Sequence, residues 1–549
     1  MKRWLAIALA VFSINGCTSG AGTANPAMDS SVPPDSAAQP DTGAPPPDAD
    51  APGAKINPED VVLDDAGIAI YKVETLTDVE GQWARVEQFL VNSKLLDRPH
   101  TDAGEASDDP EKIFMVGDVG TFVYIGDTID KGPENQKILR FLISLKTRYF
   151  SRVVLIMGNR DINKLRLLYE LAPAALKLDD SNTEFDISHF RLKIWKSQFE
   201  AFTKDADGGA KVSVDEVPTL YTNGQNVDAD KVIKAKFLLN MTMGCQPTFG
   251  LLRQELGPDH DIDVVRFLEG LPKEGGLIHS YLRLAKIIFY DKYTKTLFMH
   301  GGIADTNLGV VPSPVSSDVD ITTNAELIAW TKALNAWAQD RITDYDNGDY
   351  DAGLPLVLYQ EPAVLTSDAG ITSWGPPNPE SVVQVRPWGN NAQGAKDIVM
   401  ISAALQRKLI GAGVSRLVFG HSPVGEVPVY MRGVDGFEEI AGDTSWSTAA
   451  SNATITVTPS GVTIVGLYTQ YAVNKDVIYQ TPIYYDSDDG VVGTSTDAPD
   501  AGDGRVWALG RNQKNAGPRL FVFYRAKGSI FDQLYSIDVT IPAVDPAVE

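Results

Sequence analysis

Residues 122–165 read FVYIGDTIDKGPENQKILRFLISLKTRYFSRVVLIMGNRDINKL, and two short polar runs within them carry groups that could do chemistry. The first is Gly126-Asp127-Thr128-Ile129-Asp130-Lys131 and the second is Gly158-Asn159-Arg160-Asp161. Carboxylates and an amide oxygen are hard ligands for a divalent cation, while a lysine and an arginine beside them could hold an anion. Nitrogen ligands stand further along, His300 in His300-Gly301-Gly302 and His421 in Gly420-His421-Ser422-Pro423. Of the six histidines, only these two emerge at the end of an apolar strand-like run beside glycine. His100, His189, His260 and His279 are read as ordinary surface or core residues.

Hydrophobic periodicity supplies the elements that must position these groups. Residues 122–125 form a short apolar run that reads as a strand, and Ile138, Leu142 and Leu145 recur at helical spacing after Pro133. Residues 153–157 read as a second buried strand. Two strands joined by a helix run parallel, so both polar runs leave the carboxyl edge of one sheet, where α/β proteins bind ligands. The runs 296–299 and 417–419 are further strands, the second preceded by a helix at 397–410, and they deliver His300 and His421. An opening strand at 68–76 leads into Thr77-Asp78-Val79-Glu80-Gly81-Gln82 and a helix through Leu90. Gly117-Asp118 lies too close to Gly126-Asp127 for a helix and a strand to intervene, so Asp118 is read as a turn residue.

In this order the runs resemble the motifs of the calcineurin-like metallophosphoesterases, and within them most closely the phosphoprotein phosphatases. GDTIDKG resembles GDxVDRG, GNRD resembles GNHE, TDVEGQ resembles GDxHGQ, HGG matches, and GHSP resembles the GHTP of bacterial members. The resemblance covers about 65–470 apart from an insert. It implies an α/β fold, a two-sheet β-sandwich flanked by helices, with a large, mainly helical insert at about 165–290. It also implies two divalent metal ions, Mn, Fe or Zn before Mg, bridged by Asp127. One ion would take Asp78 and Glu80, the other Asn159, His300 and His421. A metal-activated hydroxide would then attack phosphate monoesters or phosphoanhydrides in line. Asp130 would orient or accept protons, Arg160, Lys131 and Arg386 would offset phosphoryl charge, and Asp161 is one source for the leaving-group proton.

Two departures bear on that mechanism. The histidine that usually protonates the leaving oxygen is Arg160, and the first-motif histidine is Glu80. An acid and a base in place of two neighbouring histidines predict that Glu80 pairs with Arg160. Three readings follow: a phosphoesterase acting on a phosphorylated small molecule or phosphoprotein, a catalytically impaired relative that binds phosphorylated ligands, or a scaffold whose insert binds a protein partner at the cell surface.

The formal charge of −24 over 549 residues argues against nucleic acid and against charge-driven attachment to acidic lipid. Lys2 and Arg3, an apolar run at 4–14 and Ile14-Asn15-Gly16-Cys17 resemble a bacterial lipoprotein signal, 1–17, with Cys17 lipidated; the alternative is an ordinary secretory signal. Membrane attachment would then come from the lipid alone, with the chain at the outer membrane or facing the periplasm. Residues 18–56, rich in Pro, Ala and Asp, read as a solvated tether, and 57–545 as the metallophosphoesterase domain. Helices of the insert are expected near 164–178, 188–204, 230–255 and 277–289. Within it Asp205, Asp207, Ser213 and Glu216 have the spacing of a degenerate EF-hand, but Gly209 offers no side chain and Ala210 stands where the turn needs glycine. The stretch 205–216 is therefore read as an acidic loop and not as a calcium site. Cys245 is read as a buried small hydrophobe. Runs at 437–440, 454–457, 462–468 and 520–524 are expected to be antiparallel strands of a second sheet, and 486–504 a mobile loop.

Overall fold

Apolar runs early in the chain become three parallel strands, β1 (Val73–Leu76), β2 (Thr121–Tyr124) and β3 (Val153–Leu155), with Val73 opposite Thr121 and Phe122 opposite Val153. Helix α1 (Trp83–Asn92) follows β1, and α2 (Asn135–Arg148) carries the chain from β2 to β3. This computed structural model describes residues 71–523 except 101–103, 178–198, 206, 216, 316, 361–377, 391–395, 399, 424–427, 445–451, 472–476, 487–507 and 513–518. The chain divides into two units, 1–54 and 55–549, and all described residues belong to the second. The signal with Cys17, the tether at 18–56, His189, Glu216 and nearly all of the 486–504 loop lie outside the described residues.

After α3 (Asn159–Asn163) come the helices of the insert: α4 (Val227–Phe237), α5 (Thr248–Leu256), α6 (Asp261–Gly270) and α7 (Leu277–Leu284). The helix expected over 230–255 is broken. A π-turn at Leu238–Thr242 ends α4, and the segment through Cys245 and Pro247 crosses to α5. The 205–216 stretch leads into a two-stranded hairpin, Ser213–Val214 with Val217–Pro218, rather than a second helix. Asp205 Oδ1 there accepts the backbone N–H groups of Asp207 and Gly209 at 3.1 and 2.6 Å.

The second sheet opens with the antiparallel pair β4 (Ile288–Asp291) and β5 (Thr296–Met299). Helices α8 (Asn324–Asp346) and α9 (Tyr350–Tyr359) intervene, then α10 (Ala403–Gly411) leads into β6 (Arg416–Phe419), parallel to β5. The sequence places the start of this last helix too early. Lys396–Ile398 is a strand, and Ser402 accepts the N–H of Leu405 at 3.1 Å, an N-cap that starts the helix only there. Strand β7 (Val429–Arg432) pairs antiparallel with β8 (Glu438–Ala441), which lies parallel to β6.

Strands β9 (Asn452–Val457), β10 (Val462–Tyr471) and β11 (Val477–Asp486) return to the first sheet, β9 antiparallel to β1. The expectation that all the late strands form a second antiparallel sheet is thus corrected: 438–441 lies in the second sheet but runs parallel to β6 on one side and antiparallel to β7 on the other, and 452–471 extends the first sheet. Finally β12 (Ala508–Asn512) and β13 (Arg519–Phe523) join the second. The orders are β11-β10-β9-β1-β2-β3 and β12-β13-β7-β8-β6-β5-β4.

Alternation along the strands explains the layering. Val73, Val123, Val154 and Ile455 of the first sheet meet Phe298, Val418 and Ile440 of the second in one apolar cluster between the sheets. The alternate residues Phe122, Tyr124 and Leu155 turn outward beneath the helices, with Phe122 ring centroids 5.4 and 6.4 Å from Phe89 of α1 and Phe141 of α2. The result is the two-sheet α/β sandwich flanked by helices, with a helical insert. Burial of each such large apolar side chain contributes about 1.5–3 kcal/mol.

Candidate metal centre

Every sequence-predicted metal ligand lies just beyond the carboxyl end of a parallel strand: Asp78 and Glu80 after β1, Asp127 after β2, Asn159 after β3, His300 after β5 and His421 after β6. Backbone hydrogen bonds lace these loops together. Asp78 N donates to Gly126 O at 3.1 Å, Glu80 N to Asp127 O at 3.0 Å, Lys131 N to Glu80 O at 2.7 Å and Gly420 N to His300 O at 2.9 Å. Asp78, Glu80, Asp127, Asp130 and His421 all adopt positive φ, between 48° and 112°, a conformation that costs non-glycine residues energy and is held here by the surrounding bonds.

Asp127, His300 and His421, all buried, each offer a ligand atom, and these atoms lie within 4.8 Å of one another. Asn159 Oδ1 is 3.0 Å and Asp127 Oδ1 3.2 Å from His300 Nε2. The opposite ring nitrogen, Nδ1, is 2.7 Å from the carbonyl of Ile125. A carbonyl only accepts, so Nδ1 carries hydrogen, and Nε2 is aimed at the two oxygens. Burial works against a charged His300, yet Asp127 and then Asp78 raise its pKa to about 10. Burial likewise opposes ionisation of Asp127, but His300 and Arg160 hold its carboxyl well below the usual range. A proton on Nε2 therefore lies among the oxygens that a divalent ion could use. His421 differs: burial, Arg386 and His300 keep it well below its ordinary pKa, and its buried Nε2 has no hydrogen-bond partner. A neutral imidazole clustered with a carboxylate and a second imidazole, which itself contacts an amide oxygen, fits a divalent cation.

The surroundings of Glu80 do not fit one. Arg160 Nε is 2.7 Å from Glu80 Oε1, the pairing that the exchanged residue types predict, and Lys131 Nζ is 2.7 Å from Oε2. The same guanidinium reaches Asp127 Oδ2 at 3.3 Å and Asp130 Oδ2 at 3.4 Å. Burial works against the charge on Arg160, but Glu80 leads the groups that push its pKa well above the ordinary value. Asp78 turns elsewhere. Its carboxylate accepts Thr77 Oγ1 and the N–H of His421, the latter at 3.2 and 3.3 Å. Burial and then Asp443 raise its pKa well above the carboxylate range.

The remaining expected residues divide by role. Asp161 accepts the N–H groups of Gly158, Asp127 and Thr128 and the Thr128 hydroxyl at 2.6–3.0 Å, so both of its oxygens are engaged in clamping the two loops. Asp130 is paired with Lys164 at 2.8 Å; burial opposes its charge, but Lys164 and Arg160 hold its pKa down. Arg386 lies in the segment packed against His300-Gly301, where Gly301 N donates to Val382 O at 2.8 Å. Burial lowers its pKa against the pull of Asp443, Asp127 and Asp78.

Sequence reasoning missed Lys164, fully buried one helical turn beyond Arg160, and Asp443, buried after β8. Gly442-Asp443 follows β8 as Gly126-Asp127 follows β2, but Glu438 and Glu439 interrupt the apolar run before it, which weakens the signal. The insert also reaches the site. Cys245 Sγ is 3.1 Å from Asp130 Oδ2, Thr248 donates to Asp130 O at 2.8 Å, and Arg160 reaches Gly244 O at 3.4 Å. A cavity of about 400 Å³ opens beside Asn159, its walls including Asn163, Arg166, Thr242, Gln360 and Gln384. By contrast His279, read as ordinary, pairs with Asp346 at 2.8 Å.

No protein family and no curated protein matches the sequence. Among solved structures, the chain is similar to a cold-active protein-tyrosine phosphatase of a psychrophilic Shewanella species at 18% identity and TM-score 0.33, over 74% of this chain and 79% of that one. A protein serine/threonine phosphatase from Saccharomyces cerevisiae aligns at 11% identity and TM-score 0.29, over 77% and 81%. A metallophosphoesterase from Sphaerobacter thermophilus aligns at 10% and 0.22, over 71% and 84%. Likeness at this level assigns no activity to the chain.

Proposed function

We propose that the chain is a metal-dependent phosphoesterase acting on phosphate monoesters or phosphoanhydrides. The observation that carries this reading is the convergence of ligand atoms of Asp127, His300 and His421, with Asn159 Oδ1 3.0 Å from His300, where the buried Nε2 of His421 has no hydrogen-bond partner. These four residues would hold a divalent cation, and two imidazoles among them favour Mn, Fe or Zn over Mg. Such a cation supplies Lewis-acid polarisation of a phosphoryl oxygen and a lowered pKa for water.

The chain's own groups do the rest. Arg386, whose charge interacts with those of Asp443 and Asp127 and whose segment packs on His300-Gly301, would meet the phosphate from that side. Arg160 and Lys131 add positive charge while committed to Glu80. Asp130, held anionic by Lys164 and Arg160, orients its neighbours and has no proton to give near neutral pH. Asp161 positions the loops, and the amide-rich cavity beside Asn159 receives the leaving group. If Cys17 is acylated after export, this site would work at the outer membrane or facing the periplasm.

Metal analysis of the purified chain, coupled to turnover of 4-nitrophenyl phosphate, tests the reading. The expected result is a tightly held transition metal and metal-dependent turnover, both lost in His421→Ala. A folded chain that holds no metal would overturn it. Metal bound without turnover of any aryl phosphate would favour the impaired relative that only binds phosphorylated ligands.

A further inference from the structure

Resting on the metal-dependent reading above, we infer that this chain builds a mononuclear centre in which the Arg160 guanidinium takes the place of the first cation. A first ion would need open oxygens on Asp78, Glu80 and Asp127. Both Glu80 oxygens face a cation at ion-pair distance: Arg160 Nε donates to Oε1 at 2.7 Å, and Lys131 Nζ lies 2.7 Å from Oε2, which accepts no hydrogen bond; the side chain is 2% exposed. Asp127 is divided between two cations. Its Oδ1 is 3.2 Å from His300 Nε2, on the side of the nitrogen ligands, while its Oδ2 is 3.3 Å from Arg160 Nε. The carboxylate that would bridge two metal ions therefore bridges one metal position and one guanidinium. Asp78 gives its oxygens to Thr77 and to the backbone of His421 and does not join the cluster of ligand atoms.

The guanidinium is built in. It is 13% exposed, and its NH1 is anchored at 3.4 Å to both Asp130 Oδ2 and the Gly244 carbonyl of the insert. A divalent ion bonded to Glu80 at about 2.0–2.6 Å would have to share that one carboxylate with two cations already paired to it. A divalent ion entering beside a retained guanidinium would face like charge in a buried site, where solvent screens little. A permanent single positive charge thus stands where an exchangeable double charge would otherwise be, and metal removal leaves that half of the site charged.

The mature full-length chain, loaded with Mn(II) and freed of excess ion, should hold one Mn per chain by elemental analysis. Its EPR spectrum should be that of isolated Mn(II), without exchange coupling. The double variant Glu80→His/Arg160→His should bind a second ion and show a coupled spectrum. Arg160→Gln, which removes the charge but keeps hydrogen-bonding capacity, should raise occupancy above one if the double variant does not fold. Two ions in the native chain would overturn this inference and leave the phosphoesterase reading standing, whereas no ion would overturn the phosphoesterase reading itself. A folded double variant that still holds one ion would show that the guanidinium is not what excludes the second.

Discussion

At position 160 the side chain is 2.7 Å from Glu80 and 3.4 Å from Asp130, and a guanidinium does not release its proton at physiological pH. The leaving oxygen must then depart unprotonated or take its proton elsewhere, and neither nearby aspartate is suited to give one. Asp130 is held ionised by Lys164, and Asp161, whose pKa burial and then Asp127 raise to about 6, already accepts four hydrogen bonds. Activity should therefore favour aryl phosphates or phosphoanhydrides over alkyl esters such as phosphoserine, by a margin of about 10²- to 10⁴-fold, the usual worth of general acid catalysis. Arg160→His restores a titratable group within reach of Asp130, so it should raise alkyl-ester turnover more than aryl-ester turnover in paired kinetic assays. Comparable rates on both substrates in the native chain, falling together in the variant, would show that another group supplies the proton. The Glu80–Arg160 pair was legible beforehand because both members of a neighbouring pair had changed type together. Lys164 was not, because a lysine in a short helix gives no sign of facing inward until its carboxylate partner is located.

The strand-end loops work as one block because their backbones touch. Gly158 shows how closely: a Cβ there would collide with Asp127 N and Oδ1, although its φ of −91° would suit any residue. Gly158→Ala should accordingly displace Asp127. Overpacking of this kind costs about 1–3 kcal/mol, and the midpoint of chemical denaturation should fall to match. Metal affinity, measured by competition with a chelator, should weaken in the same variant, since ligand and collision share one side chain. Unchanged affinity with reduced stability would mean that the Asp127 carboxylate is held independently of this loop contact. Four of the strands that deliver these loops, β2, β3, β5 and β6, were readable as short apolar runs leading into glycine or histidine, while β1, with Glu74 and Thr75 inside it, carries a weaker signal. The break between α4 and α5 was legible too, in Gly244, which adopts a φ of 64°, and Pro247, which stands just before α5; that the broken segment meets Asp130 was not.

Over the whole molecule, the charge of −24 and the amino-terminal run ending at Cys17 speak to where the chain works rather than how. Intact-mass analysis of material from the native host should show loss of residues 1–16 and a diacyl or triacyl addition on Cys17. An unmodified Cys17 or a retained Met1 would exclude a lipoprotein. The edge that carries the chemistry was legible in the sequence, because parallel βαβ connections leave one choice of edge, while the two-sheet sandwich was an expectation from the resemblance of the motifs. Only tertiary structure could decide that residues 452–471 rejoin the first sheet, since an alternating strand pairs equally well at either open edge. It alone shows that Glu80 is occupied by Arg160 and Lys131, that Asp78 turns to the backbone of His421, and that Asp443 lies beside it. Those distances depend on loops converging from strands up to about 360 residues apart, and no local pattern encodes which of two neighbouring carboxylates a cation will reach first.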